Sequence, residues 1–120
     1  MQLGRDITRS AYSATLFFRR MWIDRMNDAL DGFDALVCPT VACIAPEIAS
    51  LIASDDLFFK ANARILRNTA WVNFMDGCAL TLPCHTTRMA GTAPVGLQLV
   101  GRHGSDQAIL ALGMACESVI

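Results

Sequence analysis

Apolar residues along this chain recur with two different periods, and the switches between them divide it into elements. From Thr8 to about Asp31 the stripe runs Ala14, Phe18, Trp22, Met26 and Ala29, continuing to Phe33. Those steps of three and four put the side chains on one helix face, with Arg19, Arg20 and Asp24 largely elsewhere. Gly32 suits the end of that helix, because glycine adopts the left-handed C-terminal conformation without steric cost. Ala35-Leu36-Val37-Cys38 is an unbroken apolar run stopped by Pro39, the pattern of a short strand buried on both faces. Between Val41 and Asp56 lie Pro46 and several small residues, which predict a loop with a short helical turn. A second helix is predicted from Leu57 or Phe58 to Phe74, closing near Gly77. Ala79 to Leu82 reads as a second strand ended by Pro83, Thr86 to Thr92 as a loop, and Val95 to Val100 as a third strand. Ser105 or Asp106 caps a last helix, with Ile109, Leu112, Gly113 and Cys116 on its apolar face.

Helix, strand, helix, strand, strand, helix is an α/β order. Three short strands make a poor sheet alone, with both edges open and both faces apolar. The pattern therefore predicts the end of a larger layered sheet. Composition sharpens this: 53% of residues are hydrophobic and 18% charged, against about 25% charged in soluble domains. A compact chain of this length buries roughly two thirds of its surface, and the shortage of charge implies that other protein covers part of the rest. No apolar run approaches the ~18 residues that span a bilayer, which argues against a membrane partner. The first ten residues have no apolar core of a secretory signal, so a cytoplasmic location is expected. A net charge of −1, with no basic cluster beyond Arg19-Arg20, gives nucleic-acid binding no support.

Candidate chemistry is sparse. Five cysteines stand at 38, 43, 78, 84 and 116. Cys38 and Cys43 have an acceptable gap for half a zinc site, but Cys78 and Cys84 are too widely spaced for the other half. All five are read as reduced, mostly buried small hydrophobes, with no metal and no cofactor. Cys84-His85 follows a strand end, a common place for catalytic residues. Thiol catalysis needs the imidazole in contact and a third orienting group, whereas neighbours on an extended chain point apart. A buried cysteine and a loop histidine are the reading, with His103 a surface turn residue. Lys60 is the only lysine, and its nearest serines, Ser50 and Ser54, stand beside no other serine and in no Gly-rich turn. It is read as a solvated charge, and no residue is assigned a catalytic role.

The stretch from Thr69 to Arg102, TAWVNFMDGCALTLPCHTTRMAGTAPVGLQLVGR, resembles the C-terminal part of amidase-signature hydrolases. An Asn, a short apolar run ending at Pro83, a glycine-bearing loop and then Pro-Val-Gly-Leu-Gln-Leu-Val-Gly-Arg carry the resemblance. It extends to Phe33-Asp34-Ala35-Leu36-Val37-Cys38-Pro39-Thr40, similar to the family's apolar strand ending in Pro-Thr, and to Ser105–Leu110, similar to its closing helix. The chain departs from the family at Asp76-Gly77-Cys78, where many members have Gly-Leu-Pro, which leaves the particular substrate open.

The resemblance implies an α/β fold with a mixed central sheet flanked by helices, of which this chain supplies about three short strands. It also implies amide hydrolysis or ammonia transfer through an acyl-enzyme, using a Ser nucleophile, a second Ser in a cis peptide and a Lys base. That segment lies far upstream in the family, and this chain has no Ser-Ser pair. The helix before the Asn borders the family's acyl pocket. Ala63, Leu66, Ala70 and Asn73 fall on one helix face, which reads equally as core packing or as pocket lining. Arg64 and Arg67 could meet a carboxylate or carbonyl, with solvent-facing arginines the plainer reading. Ala63, Leu66, Arg67 and Ala70 are the substrate-binding candidates. Glutamine-using members place an acidic residue where Leu66 stands, so a small or apolar amide is the expected substrate of the full-length enzyme. Residues 1–120 are thus expected to be one domain fragment, inactive alone, completed by a missing N-terminal part or by copies of itself. A stand-alone, non-catalytic module that oligomerises or binds a partner through its apolar face is the alternative. A Cys84–His85 hydrolase is a third.

Overall fold

A computed structural model describes residues 4–84 and 93–120. Its elements follow in the order α1 (Arg9–Ala29), β1 (Leu36–Pro39), α2 (Ile48–Ile52), α3 (Asp55–Met75), β2 (Cys78–Pro83), β3 (Gly96–Gly101) and α4 (Asp106–Glu117). The mixture of helix and strand is that of an α/β protein. The segment read as a loop over Thr86 to Thr92 lies outside the described residues.

Thr8 starts α1 by accepting a hydrogen bond from the Ala11 amide, which satisfies one of the donors a helix N-terminus leaves open. Gly32 has φ +79° in the turn that follows. At the end of α3 the left-handed residue is Asp76, with φ 62°, one position before the glycine that the sequence nominated. Aspartate tolerates this region better than most residues.

The sheet order is β1-β3-β2, antiparallel throughout the described strands. The last strand in sequence is therefore central, and it is the best buried. Alternation along β3 sends Leu97 and Leu99 to one face and Gln98 and Val100 to the other. On the first face Leu82 and Leu99 pack with Ile109 of α4, joined by Leu80, Leu112 and Cys116. On the second, Val100 packs with Leu30, Val72 and Met75, joined by Trp22, Met26, Leu36 and Cys38. The α4 face follows the sequence pattern. In α1 the one buried residue is Ile23, while Phe18, Phe17 and Leu16 are exposed.

Gly113 is where α4 meets β2, since a Cβ there would run into the Leu80 side chain. Gly96 lets the flanking strands close over the central one. Thr40 Oγ1 donates to Thr81 Oγ1 at 3.2 Å, and a Cβ on Gly96 would lie 2.7 Å from the Thr40 hydroxyl.

The central strand is covered, but half of each flanking strand and much of the helices are not. Residues 9–18 of α1 are all exposed, as are most of the first three turns of α3. The radius of gyration is 17.7 Å, against about 14 Å for a compact chain of this length. Accessible surface is 9226 Å², roughly 2,900 Å² more than a compact monomer of the same mass would show. About half of the unfolded chain's surface is buried, rather than the two thirds of a finished domain.

Candidate functional site

Three places hold the residues that chemistry could use. The first is the outward face of α3. Ala63, Leu66, Arg67 and Ala70 all lie there and all are exposed. The inward face of the same helix carries Val72 and Met75, buried against the sheet. Phe59 and Phe74 extend the outward stripe at either end, both exposed. Phe74 is held edge-on against Trp22 at 5.2 Å and lies under the Arg19 guanidinium at 5.6 Å. The stripe is apolar apart from Arg67 and is exposed along its length.

The second place is a groove of about 660 Å³ between the loop before α2, α2 itself and the first half of α3. Ile44, Leu51, Leu57 and Ala61 make it apolar, and Lys60 and Arg64 line it from α3. Lys60 reaches Asp56 at 2.6 Å, one turn back, and both side chains are about 70% exposed. An exposed i,i+4 pair of this kind is a solvated charge pair. No serine lies within hydrogen-bond reach of the ammonium among the described residues, so the lysine is not placed as a base.

The third place is a polar cluster on the α3 side of the sheet. The Cys38 thiol donates to Gln98 Oε1 at 3.6 Å, and Gln98 is 4% exposed, the one buried polar side chain among the described residues. Burial pushes the Cys38 thiol above its ordinary pKa of 9.0, because the thiolate would lose hydration there. Asn68 Nδ2 donates to the Pro39 carbonyl at 2.7 Å, tying α3 to β1. Sequence reasoning passed over Gln98 and Asn68. A glutamine at an inward position of a strand otherwise apolar was the available signal for the first.

Cysteines 38, 43, 78, 84 and 116 are free and half-buried, less enclosed than their apolar neighbours suggested. Cys84 Sγ lies 3.8 Å from the Leu82 carbonyl, and His85 is outside the described residues. His103 is exposed and its Nδ1 lies 3.1 Å from the Asp76 carbonyl oxygen. No group of three or more metal-ligating side chains occurs among the described residues. No described helix is long and apolar enough to cross a membrane. The arrangement supplies two apolar surfaces and one buried polar pair. Among the described residues it brings no nucleophile to a base.

Comparison with known proteins gives this geometry a context. A family model described as Amidase matches residues 1–110. The chain is 34% identical over 90 residues to the 2-amino-5-chloromuconic acid deaminase of Comamonas testosteroni, covering 75% of this chain and 19% of that protein. It is 28% identical over 109 residues to a glutamyl-tRNA(Gln) amidotransferase component from Sulfurisphaera tokodaii, covering 91% of this chain and 22% of that protein. Against the fatty acid amide hydrolase of Oryza sativa subsp. indica the identity is 27% over 120 residues, covering 99% and 19%. The chain thus spans about a fifth of the length of these curated relatives. No solved structure matches it.

Proposed function

The chain belongs to the amidase family, and from that premise we propose that it is the C-terminal part of an amide-bond hydrolase, inactive alone and completed by sequence outside these residues. The observation that carries the reading is the family match over residues 1–110 in a chain that spans 19% of one relative and 22% of another. The surface supports it too, since roughly 2,900 Å² beyond a compact monomer's area awaits cover.

Within that enzyme the outward face of α3 is one wall of the acyl pocket. Ala63 and Ala70 leave room, Leu66 offers apolar contact, and Arg67 at the rim receives a carbonyl or carboxylate of the substrate. An apolar wall cannot hold the charged amine of a glutamine in a dry pocket without leaving that charge unpaired. The substrate is therefore a small or apolar amide. The acyl-enzyme chemistry is carried by a Ser-Ser-Lys segment located in the completing sequence, in a soluble, cytoplasmic protein.

The test is an assay of the purified chain on acetamide and benzamide, beside a hybrid in which it replaces the matched C-terminal fifth of the Comamonas testosteroni deaminase. The chain alone is expected to show no turnover and the hybrid to hydrolyse amides. In the hybrid, Leu66→Asp should raise KM for benzamide about tenfold with a smaller change in kcat, the pattern of lost ground-state binding. Turnover by the chain alone that disappears in Cys84→Ala would overturn the reading in favour of an independent thiol hydrolase.

A further inference from the structure

The described sheet has two outer edges, and they are finished differently. In an antiparallel ladder, residues alternate between those bonding the neighbouring strand and those whose N–H and C=O point away from it. On β1, the Thr40 amide donates to the Gly96 carbonyl at 2.8 Å, in a register that pairs Leu36 with Val100 and Cys38 with Gln98. Val37 and Pro39 therefore point outward. Pro39 has no N–H, and its carbonyl already accepts the 2.7 Å bond from Asn68. This edge offers a newcomer the groups of Val37 alone. A short strand, a proline and a capped carbonyl are ways in which natural sheets blunt an edge.

The outer edge of β2 is not blunted. The Cys84 amide donates to the Val95 carbonyl at 3.0 Å, so in the same register Cys78, Leu80 and Leu82 bond β3. Ala79, Thr81 and Pro83 point outward. Among the described residues, no backbone partner meets the outward groups of Ala79 or Thr81. The strand Cys-Ala-Leu-Thr-Leu-Pro carries no charge, and its one proline stands at its far end. It packs against α4 on one face and α3 on the other. Its Ala79, Thr81 and Pro83 positions are exposed, and an uncharged, half-exposed strand with an open edge is a template for pairing with another strand.

We propose that the outer edge of β2 is the junction through which this chain joins the rest of its sheet, and that the occupant is an extended, uncharged strand from the completing amidase sequence. It bonds the backbone groups of Ala79 and Thr81. This inference rests on the reading of the chain as a C-terminal part. The area argues for that occupant over a second copy. Pairing of two copies along this one edge would cover no more than a standard association's ~800 Å² per partner, well short of the roughly 2,900 Å² surplus, and would leave the outer faces of α1 and α3 bare.

Residue-resolved hydrogen exchange tests it, on the chain alone and on the hybrid described above. In the chain alone, the Ala79 and Thr81 amides should exchange about 100-fold faster than those of Leu80 and Leu82, as open edge groups do. In the hybrid they should slow to the Leu80 level while Val37 stays fast. A folded hybrid in which Ala79 and Thr81 still exchange as in the chain alone, or in which Val37 is protected instead, overturns the junction and leaves the C-terminal reading standing. A hybrid without cooperative unfolding overturns that reading and the junction with it. Protection of Ala79 and Thr81 in the chain alone that grows with concentration names a second copy as the occupant and overturns the proposal. Thr81→Pro removes an outward N–H and also the hydroxyl that accepts from Thr40. Compared with Thr81→Val, which removes the hydroxyl alone, it should leave the circular dichroism of the chain unchanged and cut soluble hybrid about tenfold. Val37→Pro should also leave the circular dichroism unchanged, and it should not reduce soluble hybrid.

Discussion

Cys38 and Gln98 form a polar pair where most strand positions are apolar, and the pair has a consequence for pH. Burial raises the folded-state pKa of the Cys38 thiol, so the folded chain keeps its proton to higher pH than the unfolded chain does. The group favours folding fully below the ordinary value of 9.0. That contribution declines as pH rises above it, because the unfolded thiol ionises first. Urea midpoints measured from pH 8 upward should fall more steeply for the natural chain than for Cys38→Ala. Equal slopes would show that the thiol is hydrated in solution. At the same scale, Asn68 shows how a polar residue on a helix can be structural. Its side chain ends on the Pro39 carbonyl 29 positions away, a partner that no periodicity reveals.

Elements were legible in the sequence to the extent that local chemistry fixes them. Thr8, Pro39, Pro83 and Ser105 mark starts and stops that the structure keeps within a few residues, and the α4 face of Ile109, Leu112, Gly113 and Cys116 packs as its spacing predicts. The order of strands was not legible, since alternation says which face a residue takes and not which neighbour it meets. For α1 the stripe predicted an inward face, yet Ile23 is buried and Phe18 exposed, because half of that helix has nothing to pack against. The candidate site divides the same way: the shared face of Ala63, Leu66, Arg67 and Ala70 follows from helical geometry, whereas local spacing says nothing of what stands opposite it. Close approaches between elements are testable through glycine. A Cβ on Gly77 would lie 2.7 Å from the Gly101 carbonyl oxygen, a backbone atom held in the sheet. Gly77→Ala should cost about 1–3 kcal/mol, measured as a lower urea midpoint at unchanged m value. Gly113→Ala should cost less, because its close neighbour is the movable end of Leu80.

As a whole molecule the chain is broad and thin, 53 × 46 × 18 Å. A protein that buries half its unfolded surface exposes less new surface on unfolding than a compact one, and the denaturant m value scales with that area. The urea m value should be roughly three quarters of that for a compact chain of equal length, with a matching reduction in heat-capacity change. An m value at the compact level would mean that the chain closes its own faces or assembles, which supports the module alternative. The proposed C-terminal reading would account for the flatness, since an outer portion of a layered fold has one finished side and one waiting side.

The central position of β3 also sets an order in time. Both of its partners are made before it, and Cys38 meets a residue 60 positions later in the chain. During synthesis, at some 5–20 residues per second, β1 therefore waits several seconds without a hydrogen-bonding strand, and β2 waits for a shorter interval. Long-range pairing of this kind folds slowly and leaves apolar segments open in the meantime. The two flanking strands stay unpaired until Gly96–Gly101 emerges, and a stop codon placed before that strand would remove the partner of both β1 and β2.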